Sequence, residues 1–363
     1  MSGWTVQRIP AITLGVRLAA YGLALLAAIL LAGLLSVGVG LPPLRLGGTI
    51  LYACFATRFG LQDLALLATP LILCGLSVLM LLRVGLWNIG ADGQFYVGAT
   101  CAAAVGLFVG APPWLGLPLA GLAGAAGGAA WIALPAFARL VLGVSEIITT
   151  LLLNFVARLL VDGLATGAWR DVHSSVTGQT QRIPIVLPRF PHDWHFGPVH
   201  AGVLAAPAIA LLLSLAFRFT RWGYELRLCG ANPQAAAYGG MPVRRRLLQA
   251  MLLGGAIAGL AGAIELTGTV HRLESGISNG YGYTGIIVAV LAAGAPLGAI
   301  VTGLLMAVVL NGGTVLQIHG LPAAAASCFI GVVLLVVALA ERLAHYRLVR
   351  LRPAALAAGR AAR

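Results

Sequence analysis

Long apolar runs, repeated along the chain with almost no charge inside them, limit this sequence to a helical protein solvated by lipid. A helix needs about 20 mostly apolar residues to cross the hydrocarbon core. Such runs read at 16–41, 61–82, 94–109, 115–138, 141–165, 199–217, 247–267 and 322–340, and two shorter pieces, 284–293 and 297–313, flank Gly294-Ala295-Pro296. The expected fold is therefore all-α and polytopic, with about ten transmembrane helices, two of them short or discontinuous. The runs are Leu, Ala, Val and Gly without the period-two alternation of a barrel strand. Only 9% of the 363 residues are charged, against about 25% in a soluble domain, so water has little polar surface to solvate.

The formal charge of +13 reads as orientation, not as a nucleic-acid surface. With an even number of crossings, Arg8, Arg17, Arg83, Arg139, Arg218, Arg221, Arg227, Arg244, Arg245 and Arg246 share one side with Arg342, Arg347, Arg350, Arg352, Arg360 and Arg363. The other side holds Arg45, Arg58, Arg170, Arg182, Arg189 and Arg272, and Arg158 falls inside a span. The positive-inside rule makes the richer side cytoplasmic. Both termini are then cytoplasmic. All 23 basic residues are arginine, and a standard phosphate-binding P-loop needs a lysine; ATP hydrolysis by that route falls to another chain.

The chain reads as one transmembrane domain over 1–363. Its soluble parts are an ordered, proline-bearing outer loop at 166–198, a cytoplasmic loop at 218–246 and a basic cytoplasmic tail at 341–363. The first apolar run is read as a retained helix, too long and leucine-rich for a cleaved signal. Cys54, Cys74, Cys101, Cys229 and Cys328 have no paired spacing and read as small buried hydrophobes. No nucleophile–base pair or metal-ligand spacing emerges, so neither an enzyme nor a cofactor is expected.

Four segments stand out. Gly85-Leu86-Trp87-Asn88-Ile89-Gly90-Ala91-Asp92-Gly93-Gln94 breaks two apolar runs with glycines and polar groups; it reads either as a hinge lining a solute path or as a loop with Asp92 capping the next helix. In the run from Ser145 through Glu146 to Asp162, the residues Thr150, Asn154, Arg158 and Asp162 share one helical face. Arg158 and Asp162 read as a neutralising pair or a solute site, with Asn154 and Glu146 the better solute candidates. In the inner loop, Asn232-Pro233 suits a cap followed by proline at the first helical position, and Gly239-Gly240 a stop. Glu265 and His271–Tyr283 form a Gly/Tyr-rich stretch, which suits a pore mouth or an interfacial anchor. His271 reads as a loop hydrogen-bonding residue.

Together these segments resemble bacterial nucleoside-type ABC importer permeases, a branch of the ribose and branched-chain amino-acid permease superfamily. Asn88-Ile89-Gly90-Ala91-Asp92-Gly93-Gln94 is similar to that branch's Asn-Ile-Gly-Ala-Glu-Gly-Gln, and Ser145-Glu146-Ile147-Ile148-Thr149-Thr150-Leu151-Leu152-Leu153-Asn154 to its Asn-Glu-Val-Ile-Ser-Thr-Leu-Met-Leu-Asn. Gly230 to Gly240 resembles its coupling loop, Gly-x-Asn-Pro-x-Ala-Ala-x-Tyr-x-Gly; Gly280-Tyr281-Gly282-Tyr283-Thr284-Gly285-Ile286 and Pro296-Leu297-Gly298 are also similar. Asp92 departs from the usual Glu, and Ala292-Ala293-Gly294-Ala295 from a more polar stretch.

The resemblance implies an import permease of the bacterial inner membrane. Its partners would be an ABC ATPase subunit, a second and related permease, and an extracytoplasmic solute-binding lipoprotein. Asn88, Asp92, Gln94, Glu146, Thr150, Asn154, Tyr281 and Tyr283 would line the solute path, and Gly230, Asn232, Pro233, Ala235, Ala236, Tyr238 and Gly240 would form the ATPase-coupling loop. The implied solute is a nucleoside or related purine, with a monosaccharide or riboflavin as alternatives. The rival of another class is a proton- or ion-coupled secondary transporter using Asp92, Glu146 or Glu265.

Overall fold

The computed structural model describes residues 4–8, 15, 48–191, 197–318, 320, 322–344 and 346–350. The expected span at 16–41 and the tail beyond 350 lie outside the described residues. The chain divides into two compact units, 54–311 and the two chain ends, 1–53 with 312–363.

The 54–311 unit is helical. Its helices are α1 (Arg58–Leu82), α2 (Ala91–Phe108), α3 (Pro113–Leu142), α4 (Glu146–Thr166), α5 (Ala205–Phe219), α6 (Arg221–Ala231), α7 (Pro233–Tyr238), α8 (Val243–Glu265), α9 (Tyr281–Leu291) and the greater part of α10 (Pro296–Ile318). Local chemistry sets their ends. Thr57 Oγ1 accepts from Gly60 N at 3.0 Å and starts α1. Proline occupies the first turn of α3, and Gly143, at φ 71°, ends it in the left-handed conformation.

Among the described residues, six helices are long and apolar enough to cross a membrane: Arg58–Leu82, Pro113–Leu142, Glu146–Thr166, Ala201–Phe219, Val243–Val270 and Pro296–Ile318. The expectation of about ten crossings is therefore not reached among these residues. The run at 284–293 falls in α9, whose 11 residues span about 16 Å, half the hydrocarbon thickness. The run at 94–109 is α2, with 18 residues.

α8 is the centre of this unit, packed on α1, α2 and α3. Small residues let the backbones approach, as in membrane helix pairs. A Cβ at Gly259 would strike the Gly124 carbonyl and the Gly128 backbone, and one at Gly98 would strike Gly259. α2 is rich in Ala and Gly on every face and is buried along most of its length, as a helix without a polar face must be.

At one end of the unit lie the C-terminus of α1, the α3–α4 junction and α6–α7. At the other, the stretch after α4 is stitched to the chain beyond α8. Thr180 N donates to Leu273 O, Ile183 N to His271 O and Leu187 N to Thr267 O, each at 2.9 Å. Ile183 and Ile185 are buried. Residues 192–196 lie outside the described residues.

In the unit of chain ends, α11 (Ala323–Ala344) is followed by a strand, Tyr346–Arg350, paired antiparallel with Trp4–Arg8. This ribbon departs from the all-α expectation. Its strands carry aromatic and β-branched residues among polar ones, a composition that suits pairing. Cys54, Cys74 and Cys229 are buried as read, whereas Cys328 is exposed.

Candidate functional site

After α1 the chain turns at Gly85 (φ 76°) and runs back along the helix it has just left. Asn88 meets Ser77, a residue five positions before the end of α1, about 7 Å inside it. α2 then starts within the bundle. An extended segment here cannot satisfy its own backbone, and lipid offers no partner. Side-chain amides supply the bonds. Asn88 Nδ2 donates to Ser77 Oγ at 3.1 Å and to Gln94 Oε1 at 2.9 Å, while Gln94 Nε2 returns a bond to Asn88 Oδ1 at 2.9 Å. Asn88 Oδ1 also accepts from Gly90 N at 3.1 Å.

α4 closes the other side. Asn154 Oδ1 accepts from Gly93 N at 2.9 Å, and its Nδ2 donates to Ile89 O at 2.8 Å and to the Tyr283 hydroxyl at 3.1 Å. Thr150 bonds back to Glu146 O at 2.6 Å and packs on Gly90. Glu146 accepts from Trp87 N at 3.4 Å and pairs with Arg139 Nε at 3.3 Å.

Asp92 does not cap α2. Gly90 holds that position without a side-chain bond, and Asp92 sits in the first turn. Its carboxylate accepts from Ser278 Oγ and, at 3.2 Å, from Gly282 N. The starts of α2 and α9 thus converge on one carboxylate, which suits the partial positive charge of both helix N-termini. Tyr281 is buried edge-on against Phe95 at 6.0 Å.

The structure therefore gathers Asn88, Asp92, Gln94, Glu146, Thr150, Asn154 and Tyr283 into one connected polar cluster. All but Tyr283, at 39% exposed, are buried. The expected common face of α4 splits: Thr150 and Asn154 are buried, Arg158 is exposed. Asp162 Oδ1 is buried without a hydrogen-bond partner, so the expected pairing with Arg158 is not made through that oxygen. Ser77 and Ser278 are cluster members that sequence reasoning missed; Ser77 announces itself only as a lone hydroxyl in a Leu-rich run.

The loop beyond α5 forms two helices. Asn232 Oδ1 caps α7 by accepting from Ala235 N at 3.0 Å, with Pro233 at its first position. Gly230, at the end of α6, lies so close to α1 that a Cβ there would strike the Arg83 carbonyl. Arg246 Nε pairs with Glu225 at 2.5 Å and its Nη1 donates to Gln249 at 2.8 Å; Trp222 Nε1 donates to Gln249 at 3.1 Å. The Arg83 guanidinium lies 4.8 Å over the Phe217 ring. On α7, Ala236 is buried, whereas Tyr238 is 94% exposed.

At the opposite end, Glu265 is buried, and Thr269 Oγ1 lies 3.4 Å from His200 Nε2. His200 and His271 are both buried. Burial, then the charge on His271 and on Arg189, pushes His200 down to about 4; burial, then Arg182 and Arg189, also lowers His271.

Membrane-length helices enclosing interrupted segments and a sealed polar cluster are the build of a solute permease. The chain belongs to the family described as the permease component of the branched-chain amino acid transport system, whose model matches residues 60–338. It is 34% identical to the glucose ABC transporter permease TsgB13 of Haloferax volcanii over 90% of each chain. It is 33% identical to the guanosine ABC transporter permease NupP of Bacillus subtilis, over 74% of this chain and 78% of the relative. To the nucleoside ABC transporter permease NupB of Lactococcus lactis it is 30% identical, over 70% and 72%. No solved structure matches the chain significantly.

Proposed function

We propose that this chain is the membrane subunit of an ATP-binding-cassette importer for nucleosides or related purines. The observation that carries the reading is a family match over residues 60–338 in a chain whose interrupted helices meet at one sealed polar cluster. Two of the relatives above are named for guanosine or nucleosides. The glucose permease relative keeps a monosaccharide as the second reading. Both solutes are uncharged rings bearing hydroxyls.

In this reading the basic end of the unit is cytoplasmic, and 166–198 faces outward. The antiparallel pairing of Trp4–Arg8 with Tyr346–Arg350 puts the two chain ends on one side, which supports an even number of crossings. A separate ATPase dimer docks on α6–α7, where Tyr238 presents an exposed ring and Ala236 holds α7 to the unit. A second, related permease completes the passage, and an extracytoplasmic binding protein delivers solute. Buried Asn88, Asp92, Gln94, Glu146, Thr150 and Asn154 hold the passage wall from behind, and Tyr283 meets the solute. ATP binding and hydrolysis then shift an outward-open to inward-open equilibrium, which requires different contacts in the two states.

The test is uptake by proteoliposomes holding both permeases, the ATPase and the binding protein. ATP-dependent guanosine uptake resisting excess glucose is expected; glucose uptake resisting guanosine would replace the purine reading with the sugar one. Uphill transport by the purified chain alone would defeat both. Tyr238→Ala is expected to lower ATPase co-purification at least several-fold while the chain stays in the membrane.

A further inference from the structure

Arg158 stands twelve residues after the start of α4 and eight before its end, about 18 Å and 12 Å along the axis. It is exposed on the unit. Ionisable side chains within spans face a bundle interior or a water-filled cavity, not hydrocarbon. From about 12 Å inside, an arginine stem does not carry its head to the interface.

The neighbours one turn away define what Arg158 does face. Asn154 holds the hydroxyl of partly exposed Tyr283 at 3.1 Å. Asp162 has a buried Oδ1 without a hydrogen-bond partner. α4 packs on α2, and Asn154 reaches Tyr283 at the start of α9, so this row continues from the border of α4 with those two helices. Farther round α4, Leu152, Phe155, Val156 and Leu159 are exposed and suit lipid. One helix thus carries a polar edge beside an apolar face.

We propose that the edge formed by Arg158, Asp162 and Tyr283, with buried Asn154 behind it, is a wall of the aqueous solute passage, with Arg158 and Asp162 binding the solute directly. The inference rests on the permease reading above. The guanidinium donates to carbonyl or ring-nitrogen acceptors, and the carboxylate accepts from hydroxyls. The Tyr283 hydroxyl, which accepts from Asn154, keeps its own hydrogen to donate. A cation and an anion one turn apart leave the edge without net charge, which fits an uncharged, hydroxylated ring.

Two measurements test this. In a chain with Cys101→Ser and Cys328→Ser, Arg158→Cys and Leu159→Cys are labelled in membranes with a charged, impermeant thiol reagent. Arg158→Cys is expected to react at least ten-fold faster than Leu159→Cys; equal or slower reaction overturns the passage wall. In the reconstituted importer, Arg158→Ala is expected to raise the KM for the transported solute, guanosine or glucose, at least ten-fold, with a smaller rise for Asp162→Asn. The second permease should still co-purify. An unchanged KM overturns direct binding, and loss of the second permease reassigns Arg158 to the contact between subunits. If the wild-type importer takes up neither solute, the function proposed above fails, and the labelling ratio still decides the passage wall.

Discussion

The segment 83–94 is fastened at its two ends by opposite chemistry. At Arg83 it meets the basic end of the unit, where α6 is held to α8 by the Arg246–Glu225 ion pair and Arg83 lies over Phe217. At Asn88–Gln94, inside the bundle, it is held by neutral amides that donate to and accept from each other. Water reaches the first region and not the second. Charges can be kept where solvent shares the desolvation penalty; where it cannot, reciprocal amides satisfy the backbone without burying a net charge. The two regions should therefore fail differently.

The largest effect is expected from Asn88→Ala, which leaves the Gln94 amide and Gly90 N without partners in an apolar interior. Unfolding in detergent should lose about 3 kcal/mol, read as a lower midpoint in a thermal scan. The double variant Asn88→Ala with Gln94→Ala should lose less than the sum of the two single changes, because neither amide is then stranded. Additive losses would break the picture of a reciprocal clasp.

Gly230→Val comes next. The side chain would press on the Arg83 carbonyl, and overpacking of this kind costs about 2 kcal/mol. Within the proposed importer it should also cut uptake per ATP hydrolysed, while ATPase co-purification persists; unchanged coupling would mean that the α6–α1 contact transmits nothing.

Acid sharpens the contrast, because the amides of the clasp carry no titratable group. His200 titrates near 4 when folded, against an ordinary value of 6.5, so the unfolded chain binds the extra proton between those values. Its contribution is complete above pH 6.5 and is lost as pH falls towards 4, by about 1 kcal/mol at pH 5.5. His200→Gln should flatten that dependence, whereas Asn88→Ala should leave its slope alone.

The smallest effect is expected at Arg246→Gln. The Arg246 and Glu225 side chains are 19% and 22% exposed, so solvent screens the pair in part, and about 1 kcal/mol is expected at low salt, shrinking as salt rises. A loss as large as that of Asn88→Ala, and insensitive to salt, would erase the distinction between the two regions.

What the sequence could disclose follows the range of each interaction. The α7 cap at Asn232 and Pro233 depends on neighbours three residues apart and was legible, as was the interruption around Asn88. The partner of Asp92 was not. Local pattern offers Asp92 as a cap, but its carboxylate finds Ser278, 186 residues away. Likewise, i,i+4 spacing places Arg158 with Asn154, and only packing separates the buried residue from the exposed one. Counting apolar runs does not separate a full crossing from a shorter helix, because α9 is as apolar as a span and has only 11 residues. The terminal ribbon pairs segments more than 300 residues apart in the chain, beyond any local signal.

The inset start of α2 also bears on biogenesis. This helix has no face of its own for lipid, and its glycines and alanines close against α8, whose first residue is made 152 positions after the first of α2. At 5–20 residues per second, roughly 8–30 s pass before that neighbour exists. During that interval the newborn segment must be sheltered by the insertion machinery, and truncations ending before α8 should be cleared by membrane proteases.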